Sequence, residues 1–84
     1  MAKILYFASL AETLGTSSEK LELPAACKTV DDLVESLRAR GEPWARAFDG
    51  STRILVAVNQ EMSEPSVEIG PGDEIAFFPP VTGG

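Results

Sequence analysis

An α+β fold, a mixed β-sheet packed on one main helix, is the architecture this chain predicts, and three features carry that reading. Apolar segments follow one another in the order strand, strand, helix, strand, edge strand, strand. Only the segment holding Val30, Leu33, Val34 and Leu37 has the i, i+3, i+4, i+7 spacing of a long amphipathic helix. The chain has 84 residues, of which 44% are hydrophobic and 24% charged, a composition that suits one globular domain spanning residues 1–84. A domain near this size buries only about 60% of its unfolded surface, so each apolar face has to meet something.

Residues 3–10 are apolar on both sides and rich in Ile, Leu, Tyr and Phe, which predicts a strand covered on both faces. Residues 11–14 add a helical turn stopped by Gly15, and Thr16, Ser17 and Ser18 form a polar loop. Residues 19–23 alternate, placing Leu21 and Leu23 on one face of a second strand that ends at Pro24. Together the two strands read as a hairpin. Thr29 is placed to cap the main helix, Asp31 and Asp32 fall in its first turn, Arg38 and Arg40 in its last, and Gly41 stops it. After Pro43, Trp44 and Phe48 are spaced i, i+4 and read as a lid over one end of the core.

Residues 53–58 form a strand with Ile54, Val56 and Val58 on one face and Leu55 and Ala57 on the other, followed by a turn at Asn59-Gln60-Glu61. Residues 62–69, interrupted by Pro65, suit an edge strand or loop. Gly70-Pro71-Gly72-Asp73 is a dense turn signal, and residues 74–78 make the last strand, ended by Pro79-Pro80. This order is that of the ubiquitin-like β-grasp. Several strands are apolar on both faces, yet one long helix can cover only one face of the sheet. In the last strand Ile75 and Phe77 share one face and Ala76 and Phe78 the other, so Phe78 is expected to point away from the core into a protein interface.

Seven basic and thirteen acidic residues leave a net charge of -6, which repels phosphate backbones and anionic lipid headgroups and argues against nucleic acid or membrane as partner. The single cysteine, Cys27, cannot form an internal disulfide, and the absence of histidine removes both imidazole metal sites and Ser-His or Cys-His catalysis. No secretory signal or membrane-length apolar run occurs, which predicts a cytoplasmic location. The acids are spread over loops and helix as a solvated face. Cys27 fits no motif and reads as a small packed side chain.

Chemistry therefore concentrates at the end of the chain. Residues 75–84, Ile-Ala-Phe-Phe-Pro-Pro-Val-Thr-Gly-Gly, carry no charge. Two prolines stiffen the exit of an extended tail, residues 79–84, and residues 81–84 could reach roughly 13 Å. A terminal Gly-Gly has no side chains, so a narrow tunnel in a partner can admit it and meet the carboxylate. A free carboxylate is a poor electrophile; activation as a mixed anhydride with AMP would let a sulfur nucleophile displace AMP and leave a thiocarboxylate.

The segment Gly72-Asp73-Glu74-Ile75-Ala76-Phe77-Phe78-Pro79-Pro80-Val81-Thr82-Gly83-Gly84 resembles the C-terminal signature of the small subunit of molybdopterin synthase, a β-grasp sulfur-carrier family. Lys3-Ile4-Leu5-Tyr6-Phe7-Ala8, Leu14-Gly15 and Val56-Ala57-Val58-Asn59-Gln60 extend the resemblance along the chain. It implies a sulfurtransferase subunit without catalytic apparatus of its own. Gly84 would be adenylated by an adenylyltransferase related to ubiquitin-activating enzymes, which uses ATP and Mg; no cofactor is bound by the chain itself. The resulting thiocarboxylate would donate sulfur to cyclic pyranopterin monophosphate in the large synthase subunit, two small subunits flanking a large-subunit dimer. On this resemblance Gly83, Thr82 and Val81 form the threaded tail, and Phe78, Pro79, Pro80 and Met62 the partner interface. Many relatives carry arginine where this chain has Ala11.

Three other readings stay open at the level of sequence. A carrier for another pathway, such as thiamine synthesis, is disfavoured by Phe77-Phe78-Pro79-Pro80. A ubiquitin-like modifier would join Gly84 to lysine amines. A non-covalent module would use the sheet face alone and would not need Gly83 and Gly84.

Overall fold

The computed structural model describes residues 1–50 and 53–80. Its elements run β1 (Ala2–Tyr6), α1 (Ala8–Leu14), β2 (Ser18–Leu21), α2 (Val30–Arg38), α3 (Trp44–Ala47), β3 (Leu55–Val58), β4 (Glu61–Ser63) and β5 (Glu74–Phe78). The strands form one sheet in the order β2-β1-β5-β3-β4. β1 and β5 are parallel, and the other neighbouring pairs are antiparallel. This mixed sheet with a helix packed on it is the β-grasp arrangement expected from the order of elements.

The core follows from strand alternation. Ala2, Ile4 and Tyr6 of β1, Val56 of β3 and Ile75 and Phe77 of β5 are buried, and they pack in one cluster with Val30, Leu33 and Leu37 of α2. Thr29 caps α2 through a reciprocal box: its hydroxyl accepts from the Asp32 amide at 3.2 Å, and the Asp32 carboxylate accepts from the Thr29 amide at 3.1 Å. Backbone amides of Lys28 and Thr29 hold the Asp32 carboxyl below its ordinary range. The loop before β5 is tied to the same helix end, with Val30 N–H donating to Val67 C=O and Asp31 N–H to Pro65 C=O.

Aromatic rings close one end of the core. Phe48 meets Phe77 edge-on at 5.2 Å, and Trp44 meets Tyr6 edge-on at 5.4 Å, which gives the lid its contacts. Behind them Tyr6 Oη donates to Glu19 at 2.9 Å, while Arg40 binds both Glu19 carboxylate oxygens and lies 4.4 Å from the Trp44 ring centre. One carboxylate thus joins β1, β2 and the segment between α2 and α3. The Arg40 bonds hold the Glu19 carboxyl below its usual value, and burial pushes the Tyr6 phenol above its own.

Several boundaries differ from the sequence reading. The first strand stops at Tyr6 because Ala8 has φ 55, in the left-handed region, and turns the chain into α1. Leu10 is therefore a buried helix residue and not part of a strand. The hairpin expectation survives as antiparallel β1–β2 pairing with α1 inserted between the strands. β2 ends at Leu21 because its partner β1 begins at Ala2, leaving nothing for residues 22 and 23 to pair with. α2 ends at Arg38, so Arg40 lies beyond the helix and binds Glu19. β3 begins at Leu55, opposite Phe78, where the β5 ladder ends.

Candidate functional site: the uncovered sheet face and the root of the tail

β5 is the central strand, hydrogen-bonded on one side to β1 and on the other to β3. Its start is pinned by a polar knot. Asn59, at φ 51 in the turn after β3, donates from its side chain to Asp73 at 3.1 Å and accepts from the Glu74 amide at 3.0 Å. Asp73 also accepts from the Gly70 amide at 2.7 Å, and these bonds keep its carboxyl below the ordinary range. The strand is fixed at both flanks and at its entry, so the position of its last residue is set by the sheet.

The face of the sheet turned away from α2 is apolar along its middle. Leu5, Ala76, Ala57 and Met62 occupy one row across β1, β5, β3 and β4, each the register partner of the next. The two alanines leave a low floor between the longer side chains of Leu5 and Met62. Phe78 and Leu55 are partners one row nearer the tail. Phe7 stands beside them at the end of β1, its amide donating to Phe77 C=O at 3.1 Å. Met62 is 64% exposed and Phe7 48%, whereas Phe77, on the opposite face, is 1% exposed. Leu5, Leu55, Ala57, Ala76 and Phe78 between them are half-buried, and a contiguous apolar patch of this kind is a common feature of protein-interaction sites.

The family model for ThiS proteins matches residues 4–84. The chain belongs to the ThiS family. The chain is 40% identical, over 84 residues and the whole of both chains, to the molybdopterin synthase sulfur carrier subunit of Escherichia coli (strain K12). To the molybdopterin synthase sulfur carrier subunit of Homo sapiens it is 35% identical over 85 residues, covering 98% of this chain and 92% of the human one. The crystal structure of SAMP1 from Haloferax volcanii superimposes with a TM-score of 0.74 at 27% identity, covering 99% of this chain and 98% of that one.

In this ThiS-family chain the structure brings Phe78 and Met62 onto the same sheet face, Phe78 beside Leu55 in one row and Met62 beside Ala57 and Ala76 in the next. Pro79 lies elsewhere: it lines a groove of about 340 Å³ with Ser9, Leu10 and Thr13 of α1, Ala47 and Arg46 of α3, and Ile54. Pro80, half-buried, is the last residue described. Val81, Thr82, Gly83 and Gly84 lie outside the described residues. Phe7 was not singled out by the sequence reading. The signal is present, because the alternation that sends Ile4 and Tyr6 inward sends Leu5 and Phe7 outward, but an unbroken apolar run hides which of its faces is left uncovered. Ala11 packs partly buried against the core cluster and offers no polar group.

Proposed function

We propose that this chain is the sulfur-donating small subunit of a molybdopterin synthase, in which Gly84 carries the sulfur as a thiocarboxylate. The observation that carries this reading is the placement of the uncovered apolar face beside the exit of the central strand that leads to Gly83-Gly84. A partner seated on Phe7, Leu55, Met62 and Phe78 receives the tail at a fixed position. That is what threading four small or flexible residues into an active site requires.

The chemistry is an acyl activation followed by exchange. The Gly84 carboxylate attacks the α-phosphorus of ATP in a Mg-dependent adenylyltransferase related to ubiquitin-activating enzymes, releasing pyrophosphate and forming the acyl adenylate. Sulfur at the oxidation level of sulfide then adds to the acyl carbon, and AMP departs with the electrons of the C–O bond. The thiocarboxylate enters the large subunit and gives its sulfur to cyclic pyranopterin monophosphate, a sulfurtransferase step whose bases and cations come from that subunit. This chain contributes position, reach and the carboxyl group. It needs no bound cofactor, and the reading places it in the cytoplasm; among the described residues no helix is long and apolar enough to cross a membrane.

The deciding experiment is the intact and C-terminal-peptide mass of the protein after incubation with the activating enzyme, ATP, magnesium and a sulfur donor. A mass increase of one oxygen-for-sulfur exchange, confined to Gly84, is expected. An unmodified terminus, with the activating enzyme active on a known carrier, would overturn the reading in favour of a non-covalent module. Conjugates joined through Gly84 to lysine amines would turn it toward a protein modifier.

A further inference from the structure

The uncovered face is not apolar throughout. One row below Leu5 and Ala76, Lys20 of β2 and Lys3 of β1 are direct register partners, and Lys3 is in turn the partner of Glu74 of β5. Ala2 and Ile4 are buried, so Lys3 shares the outward face with Leu5, and Lys20 opposite it does the same. Both lysines are exposed, and among the described residues neither makes an ion pair. Like charges directly opposite on neighbouring strands destabilise a sheet. A chain with thirteen acidic and seven basic residues places two of those seven in such a pair, with Glu74 as the one acid in the row.

A repulsive pair that folding does not need is relieved when carboxylates from outside complete it. We infer that the partner covering this sheet face sets one or more carboxylates against Lys3 and Lys20, and that this contact fixes how the partner is seated. The occupant is a protein, because the lysine row is continuous with the apolar row of Leu5, Ala76, Ala57 and Met62, and because the net charge of -6 repels polyanions and anionic lipid. The apolar end, by Phe78, lies at the tail, and the cationic end lies one strand-length away. Opposite charge at the far end aligns the partner lengthwise and directs its active-site mouth toward the tail.

This inference rests on the carrier reading and takes the large synthase subunit as the occupant. Its test is the affinity of the complete chain for that subunit, measured across a range of salt, for the wild type, Lys20→Glu, Lys20→Gln and the Lys3→Glu/Lys20→Glu pair. Lys20→Glu is expected to raise the melting temperature, since it turns repulsion of Lys3 into attraction. At low salt it should also weaken association about tenfold and flatten its salt dependence, with Lys20→Gln between it and the wild type. Gain of stability with loss of binding cannot come from a damaged fold. Unchanged affinity and salt dependence in the double charge reversal, with wild type binding normally, would overturn the inference. Failure of the wild-type chain to bind the large subunit, or to accept sulfur at Gly84, would instead overturn the carrier reading beneath it.

Discussion

Phe78 and Phe77 are adjacent residues of one type with opposite duties, and alternation along β5 divides them. Phe77 is held between Tyr6 and Phe48 in the core, while Phe78 stands half-buried on the other face beside Leu55. Truncating Phe78 to Ala should leave the melting temperature nearly unchanged and weaken binding to the large subunit by about 2 kcal/mol, measured by calorimetry, if it is a central anchor. Unaltered binding would remove it from the interface. This division was legible in the sequence because a period of two needs no tertiary information. The Glu19 knot was not legible, since nothing local says that Arg40, 21 residues away, reaches it. Its consequence is a pH dependence. Arg40 lowers the folded-state pKa of Glu19, so the stabilisation is in place above the unfolded value of about 4.5 and is lost as pH falls through the lower folded value. Glu19→Gln should therefore flatten the acid side of the stability profile in urea melts, whereas a profile that keeps its slope would assign the acid sensitivity to other carboxylates.

At the scale of elements, α2 was the most readable, because cap, charge placement and apolar stripe all agree within a dozen residues. Thr29→Ala removes one half of the capping box and should cost about 1 kcal/mol in chemical denaturation, with the fold unchanged. A loss below a few tenths would mean that the tie from Val30 to Val67 holds the helix end without the cap. The first strand was the least well bounded. Its apolar run continues through Leu10, and only the left-handed turn at Ala8 converts the second half into α1. Alanine gives no local warning of that conformation, which glycine would have given. Phe7 was missed for the same reason: once the run is read as one covered strand, its outward end is assigned a neighbour it does not have. The shortness of β2 and the late start of β3 likewise depend on where β1 and β5 run out, and a strand cannot report the length of its partner.

For the molecule as a whole, two faces of one sheet are put to different uses: one is consumed by the core, the other is left open next to the tail. Deleting Gly84 should abolish sulfur transfer to the pyranopterin precursor in the reconstituted synthase while leaving the circular dichroism spectrum and binding through Phe78 and Met62 close to normal. Retained transfer would sink the carrier reading, and lost binding would show that the tail supplies much of the affinity. The central place of β5 also bears on how the protein comes into being. β1 and β3 do not touch each other in the sheet and are joined only through β5. The antiparallel β1–β2 and β3–β4 pairs are local in sequence, and within the sheet residues 74–78 must insert between them before the sheet is continuous. Parallel pairing of the first strand with the last is also a contact of very long sequence separation, the kind whose loop-closure cost slows folding. A chain cut before residue 74 would leave β1 and β3 each with an unpaired edge, so closing the sheet and presenting the tail depend on the same strand.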